Sequence, residues 1–162
     1  IYGPRQHLEK AIPRFITSAI LNEPLTVHGS GLPERDYMYV DDLARAIDLL
    51  VHAPLDKVKG EVFNVGSGEA ISILKIAKLI AKHMKIPQSQ IHFVKDRPGQ
   101  VSTFACNYGK FKKLLGWAPK KKFEEGLEET IEWYKNNQDV WKQQTWLRSV
   151  PIMMPDGTIE LH

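Results

Sequence analysis

The chain has 162 residues, 43% hydrophobic and 25% charged, the composition of one ordinary soluble globular domain able to bury a core. Its apolar runs break well short of the ~18 residues that span a membrane, and no basic-then-apolar leader opens it, so a cytoplasmic protein with no membrane partner is expected. The net charge of +3 is concentrated in Lys110, Lys112, Lys113, Lys120, Lys121 and Lys122, a solvated face without the aromatic platform of a nucleic-acid binder, and the single Cys106 supplies neither a disulfide nor a metal site.

Ile1-Tyr2-Gly3-Pro4 reads as a strand end running into a turn, so the chain is expected to begin part-way through an architecture. A helix follows from about Pro13 to Asn22, with Phe15, Ile16, Ala19 and Ile20 on one face, and Pro24 ends it. Leu25 to His28 is a short strand closed by the turn residues Gly29, Ser30, Gly31 and Pro33, and Tyr37 to Val40 is a second extended run. Asp41 and Asp42 suit a helix start, where a carboxylate satisfies free N–H groups; Leu43, Ala46, Ile47 and Leu50 would be that helix's buried stripe, ending near Pro54.

Glu61 to Val65 reads as an apolar strand entering Gly66-Ser67-Gly68. Ser72 can cap a helix carrying Ile73, Ile76, Ala77, Ile80 and Met84, and Ile91 to Val94 is the next strand. A short helix from about Tyr108 to Leu115 stops at Gly116, and a long one spans about Phe123 to Lys142 with Leu127, Ile131 and Tyr134 inward. The tail from Thr145 to His162, with Pro151, Pro155 and Asp156-Gly157, reads as an irregular strap or small hairpin.

Alternating strands and helices indicate an α/β or α+β domain whose ligands gather at strand ends. Arg35 lies between a Gly/Pro loop and a strand, where it is either a solvated loop residue or a bidentate donor to a phosphate. Asn64, inside an apolar strand, is either networked to backbone or faces a ligand. Asp96-Arg97-Pro98-Gly99 is either a plain turn or a loop that fixes a guanidinium. Gly66-Ser67-Gly68-Glu69-Ala70-Ile71 lacks the third glycine of the dinucleotide fingerprint, so no complete nucleotide-binding βαβ unit is encoded. Tyr108 and Lys112 share the spacing Tyr-x-x-x-Lys by coincidence.

Tyr2-Gly3-Pro4-Arg5-Gln6, the run Arg35 to Asp42, Phe63-Asn64-Val65-Gly66, Asp96-Arg97-Pro98-Gly99, Leu115-Gly116-Trp117-x-Pro119 and Trp133-Tyr134-x-Asn136 occur in one order and spacing. In these the chain resembles the extended short-chain dehydrogenase/reductases that act on nucleotide sugars. With Glu9-Lys10-x-Ile12-Pro13 added, it is most similar to the dTDP-glucose 4,6-dehydratases, while Gln100, where those enzymes commonly carry His, is also at home in epimerase relatives. The resemblance implies an α/β fold that is the C-terminal, substrate-binding part of an extended Rossmann-fold enzyme, the N-terminal Rossmann domain being absent. Residues 1–144 would be the substrate-binding domain, including a strand near 61–66 that joins the missing sheet, and 145–162 a tail.

The resemblance further implies that the ligand is a nucleoside-diphosphate sugar, with Lys10 and Ala11 lining its site, Thr26, Val27 and His28 bordering the base, and Arg35 gripping the diphosphate. Asn64 and Asp96, Arg97, Pro98, Gly99 and Gln100 would complete that wall. In such enzymes NAD, held mainly by the N-terminal domain, takes a hydride from the hexose C4, water leaves across C5 and C6, and the hydride returns to C6. An epimerase instead returns the hydride to the opposite face of the 4-keto sugar. The Tyr-x-x-x-Lys base and its helpers would lie upstream, leaving this chain without catalytic or cofactor-binding residues, while the whole enzyme would be a homodimer. A non-catalytic nucleotide-sugar binding module is the competing class.

Overall fold

The computed structural model describes residues 1–96, 99–153 and 157–161. Its helices are α1 (Ala11–Ile20), α2 (Val40–His52), α3 (Leu55–Val58), α4 (Ile73–Met84), α5 (Gly109–Leu115), α6 (Phe123–Asn136) and α7 (Gln138–Lys142). The strands are β1 (Leu25–His28), β2 (Glu34–Asp36), β3 (Ala70–Ser72), β4 (Ile91–Val94), β5 (Pro151–Met153) and β6 (Ile159–Leu161). They pair two by two: β1 with β4 in parallel, Leu25 opposite Ile91, and β2 with β3 antiparallel, Arg35 opposite Ile71. β5 and β6 make the tail hairpin. Among the described residues no helix is long and apolar enough to cross a membrane.

The main core forms where α1 meets β1, α4 and α6. α1 turns Ile12, Phe15, Ile16 and Ala19 inward at helical spacing, while β1, with period two, buries Leu25 and Val27 and leaves Thr26 and His28 on its other face. α4 contributes Ile76, Ala77, Ile80 and Ala81, and begins as its sequence predicts, Ser72 Oγ accepting from Lys75 N at 3.2 Å. Tyr2 packs at 5.1 Å from the Phe123 ring and donates to Phe123 O at 2.9 Å, tying the first residues to the start of α6.

A smaller core joins Met38, Ala46, Phe111 and Trp117. Phe111 and Trp117 stack with centroids 5.2 Å apart. The α5 stop is as expected, Gly116 taking φ +71° and donating to Lys112 O.

Three expectations need correction. The extended run at Tyr37 to Val40 is not a sheet strand: the ladder forms one step earlier, at β2, because β3 lies there, and Tyr39 makes only an isolated bridge to Tyr2. Glu61 to Val65, expected to join a sheet outside this chain, pairs with no strand among the described residues, and Val62 is 79% exposed. Ile47 is exposed rather than part of the buried stripe of α2. The last long helix breaks at Asn137, where the backbone leaves the helical region with φ −125° and ψ 43°.

Asp42 also differs from a helix cap. Tyr39 occupies the cap position of α2 without a side-chain bond, and the Asp42 carboxylate turns instead to the loop before α6, accepting from Lys120 N, Lys121 N and Arg45 Nη2. The Asp42 carbonyl accepts from Trp117 Nε1 at 3.2 Å. Burial by itself would raise this carboxyl's pKa, but the Arg45 and backbone donors outweigh it and hold it below the usual carboxylate range. Asp42→Ala should cost about 3–5 kcal/mol, since it strands these donors in a site only 2% exposed. A thermal melt of the variant close to that of the parent chain would show the interaction to be unimportant.

Candidate functional site

Beside α1 and β1, at the edge of the core, lies a cleft of about 770 Å³, a size suited to a small organic ligand. The first turn of α1 supplies Lys10, Ala11, Arg14 and Phe15; β1 supplies Thr26 and His28, the residues that strand alternation leaves facing away from Leu25 and Val27. Arg35 and Tyr37 stand on the adjoining β2 segment, Val94, Lys95 and Gln100 follow β4, and Arg148 and Val150 come from the tail.

The electrostatics are one-sided. Lys10, Arg14, Arg35, Lys95 and Arg148 face a cleft whose lining includes one carboxylate, Glu9, and that carboxylate pairs with Lys10 at 2.7 Å. The first turn of α1 contains no acidic residue and no side-chain cap, so its N–H groups and positive dipole end add to the field. Arg14 is held below the usual guanidinium range by burial first and by the neighbouring Arg148 second, with Glu23 opposing. Burial pushes the Tyr37 hydroxyl up to about 12 against the pull of Arg35, so it stays protonated as a neutral donor.

Arg35 is fixed rather than waving in solvent. Its Nη1 donates to Glu34 O at 2.7 Å and to Val101 O at 2.6 Å, which clamps the guanidinium against the segment after β4. No hydrogen bond engages its Nε or Nη2 among the described residues, and these N–H groups can be given to a ligand oxygen.

Of the residues expected at a site, Lys10, Ala11, Thr26, His28, Arg35 and Gln100 do converge on the cleft. Asp96 is exposed beside it, accepting from Gln100 Nε2 at 2.8 Å, and it lies so near Gly29 that a Cβ there would sit 2.6 Å from its Cγ. Gly99 is exposed with φ +71°, and Arg97 and Pro98 lie outside the described residues. Val27 gives the cleft no side chain, because it is wholly buried in the core. Asn64 is exposed on the unpaired 61–65 segment and does not line the cleft. Sequence reasoning missed Arg14, one helical turn after Lys10 and readable by that spacing, and Arg148, for which the tail offers no local signal.

The Gly66 to Gly68 turn does not cradle a cofactor phosphate. Its Ser67 and Gly68 N–H groups are taken by the Asp36 carboxylate, which accepts from Ser67 N at 2.8 Å, Ser67 Oγ at 2.7 Å, Gly68 N at 2.9 Å and Cys106 N at 2.9 Å. Gly66 has no room for a Cβ, which would collide with Cys106, so the close approach is what its glycine provides. Burial raises the Cys106 thiol and the Asp36 charge adds to that, leaving it a poor nucleophile. Among the described residues no group of His, Cys, Asp or Glu is placed to hold a metal ion.

The sequence model of one family, described as GDP-mannose 4,6 dehydratase, matches residues 1–130. The chain belongs to this family. The GDP-mannose 4,6 dehydratase relatives include a trifunctional UDP-glucose 4,6-dehydratase/UDP-4-keto-6-deoxy-D-glucose 3,5-epimerase/UDP-4-keto-L-rhamnose-reductase of Arabidopsis thaliana, 38% identical over 98% of this chain and 24% of its own length. The crystal structure of dTDP-glucose 4,6-dehydratase from Bacillus anthracis in complex with NAD superposes with a TM-score of 0.78 at 34% identity, covering 88% of this chain and 44% of that one. UDP-glucose 4-epimerase of Thermotoga maritima, solved with UDP-glucose, gives 0.77 at 31% identity over 85% and 44%. The chain thus has the α/β fold of part of an extended Rossmann-type dehydratase or epimerase and spans less than half the length of these proteins.

Asp36→Asn replaces one acceptor oxygen with a donor facing N–H groups and should cost about 2–3 kcal/mol in urea denaturation. The wild-type carboxyl is held below its usual range, burial being outweighed by the Ser67, Cys106 and Gly68 donors. Its contribution is therefore complete above about pH 4 and is lost as the pH falls through the lower folded value. The acid-side loss of stability should be shallower in Asp36→Asn, and identical pH profiles would contradict this assignment.

Proposed function

We propose that this chain is the substrate-binding part of an NAD-dependent nucleotide-sugar 4,6-dehydratase, of the dTDP-glucose type, and that the cleft takes the nucleoside diphosphate. The observation that carries the reading is a dense cationic lining around a clamped guanidinium, Arg35, whose free N–H groups suit a diphosphate oxygen. In this arrangement Arg35 and the first turn of α1 neutralise the diphosphate. Lys10 and Ala11 line its approach, Thr26 and His28 border the base, and Gln100, supported by Asp96, forms the outer wall with Gly99 beside it.

This reading places the base for the chemical step outside this chain. Tyr108, whose spacing to Lys112 mimics the catalytic pair, packs edge-on against Trp117 with centroids 5.6 Å apart and does not line the cleft. Asp36 takes the Ser67 and Gly68 N–H groups of the glycine turn, which favours a reading that assigns NAD and the hydride chemistry to a region outside this chain. The same reading includes a cytoplasmic location and homodimerisation of the whole enzyme, with residues 145–162 as an appendage to a 1–144 domain.

A 4-epimerase is the second reading, favoured by Gln100 and by the fold shared with the UDP-glucose 4-epimerase. Both outcomes use the same nucleotide cleft.

Calorimetric titration of the chain with dTDP and UDP should give binding that Arg35→Ala weakens about tenfold or more, the worth of a charge-assisted hydrogen bond. Equal affinity in the variant would remove Arg35 from the site. Incubated with NAD and dTDP-glucose, the chain by itself should form no 4-keto product; turnover would place the catalytic groups within it after all.

A further inference from the structure

The tail contributes a residue whose position no local pattern foretells. Arg148 ends the 3₁₀ turn Thr145–Arg148, is 5% exposed, and lines the cleft. Its Nη2 is fully used, donating to Ser18 Oγ at 2.7 Å and to Glu23 Oε2. Its Nε is buried without a partner, and its Nη1 finds no acceptor among the described residues. A buried guanidinium with three of its five N–H groups unanswered is costly unless something else supplies an acceptor.

The contacts of Arg148 say which part of a ligand that is. Ser18 and Glu23 hold it at the C-terminal end of α1 and the entry to β1, whereas Arg35 is tied through Val101 to the segment after β4. The Glu23 carboxylate already neutralises Arg148, so it is a fixed donor suited to a neutral oxygen more than a phosphate clamp. Arg14 and Arg35 form no ion pair among the described residues and remain for the diphosphate.

We propose that Arg148 is a specificity-determining residue that donates from Nη1 to a carbonyl oxygen of the nucleobase, selecting uracil or thymine over a base that presents an amino group at that edge. This rests on the assignment of the cleft to a nucleoside diphosphate. Arg148 takes no part in bond making; it sets which base is accepted, and it makes the tail part of the site.

The test is titration of the chain with UDP, CDP and inorganic pyrophosphate, comparing wild type with Arg148→Lys, Arg148→Met and Arg35→Ala. Arg148→Lys keeps the charge and removes the planar fork, so it guards against the possibility that Arg148→Met fails to fold. Wild type should prefer UDP to CDP about tenfold, the worth of one charge-assisted hydrogen bond. In both Arg148 variants that ratio should fall to near unity while pyrophosphate affinity stays within about twofold; Arg35→Ala should weaken UDP and pyrophosphate together and keep the ratio. An unchanged UDP-to-CDP ratio in folded Arg148 variants overturns this inference alone and leaves the cleft assignment standing. Equal loss of UDP and pyrophosphate affinity in them also overturns it, since that is the signature of a structural or phosphate-binding role. A wild-type chain that binds neither UDP nor pyrophosphate overturns the cleft assignment and this inference together.

Discussion

The packing of α1 against β1 decides what else the molecule can do. Ile12, Phe15, Ile16 and Ala19 of the helix and Leu25 and Val27 of the strand are buried together with residues of α4 and α6. Because helix and strand each have two faces, burying these residues forces Lys10, Ala11 and Arg14 on one element and Thr26 and His28 on the other to the same outer side. The cleft is thus a by-product of a hydrophobic alignment. A slip of β1 by one residue would send Thr26 and His28 into the core and bring Val27 to the cleft.

Around that unit the loops are organised by carboxylates acting as acceptors for backbone N–H groups. Asp36 gathers the glycine turn and the Cys106 segment, and Asp42 gathers the loop before α6. In both, donors directed at one charged group replace the secondary-structure ladder that these irregular stretches lack. The Asp36 arrangement also determines what the glycine turn cannot do. It looks like a cofactor turn by composition, yet its Ser67 and Gly68 N–H groups point at a side chain of the same protein.

The elements legible in the sequence are those whose boundaries are local. α4 has its own Ser72 cap, α5 its own Gly116 stop, and α1 its apolar spacing and Pro24, and all three form close to where those signals put them. Strands were legible only when the partner was obvious. Leu25 to His28 and Ile91 to Val94 pair with each other as they read, but Tyr37 to Val40 and Glu61 to Val65 have strand-like composition without a ladder, because pairing depends on what lies alongside. At the site, Lys10, Ala11, Thr26, His28, Arg35 and Gln100 followed from family resemblance. Asn64 did not, being exposed on the 61–65 segment and not among the residues that line the cleft. Arg148 meets Ser18 across 130 positions of sequence, a contact invisible to any window-based reading.

The distribution of counter-charges explains why the cleft needs a ligand to be electrostatically complete. Lys10 is matched by Glu9 and Arg148 by Glu23, whereas Arg14, Arg35 and Lys95 form no salt bridge among the described residues. Arg14 is half-buried beside Arg148, and the like charges raise the cost of keeping both ionised. An anionic ligand relieves that cost and by mass action stabilises the elements that carry the cations, namely α1, the β2 segment and the tail. On the proposed assignment Arg148 would couple the tail, whose β5 pairs with β6, to occupancy of the cleft. One guanidinium, held by Ser18 and Glu23, brings the tail to the cleft lining, and on the proposed assignment linkage requires that ligand binding and this tail placement favour each other.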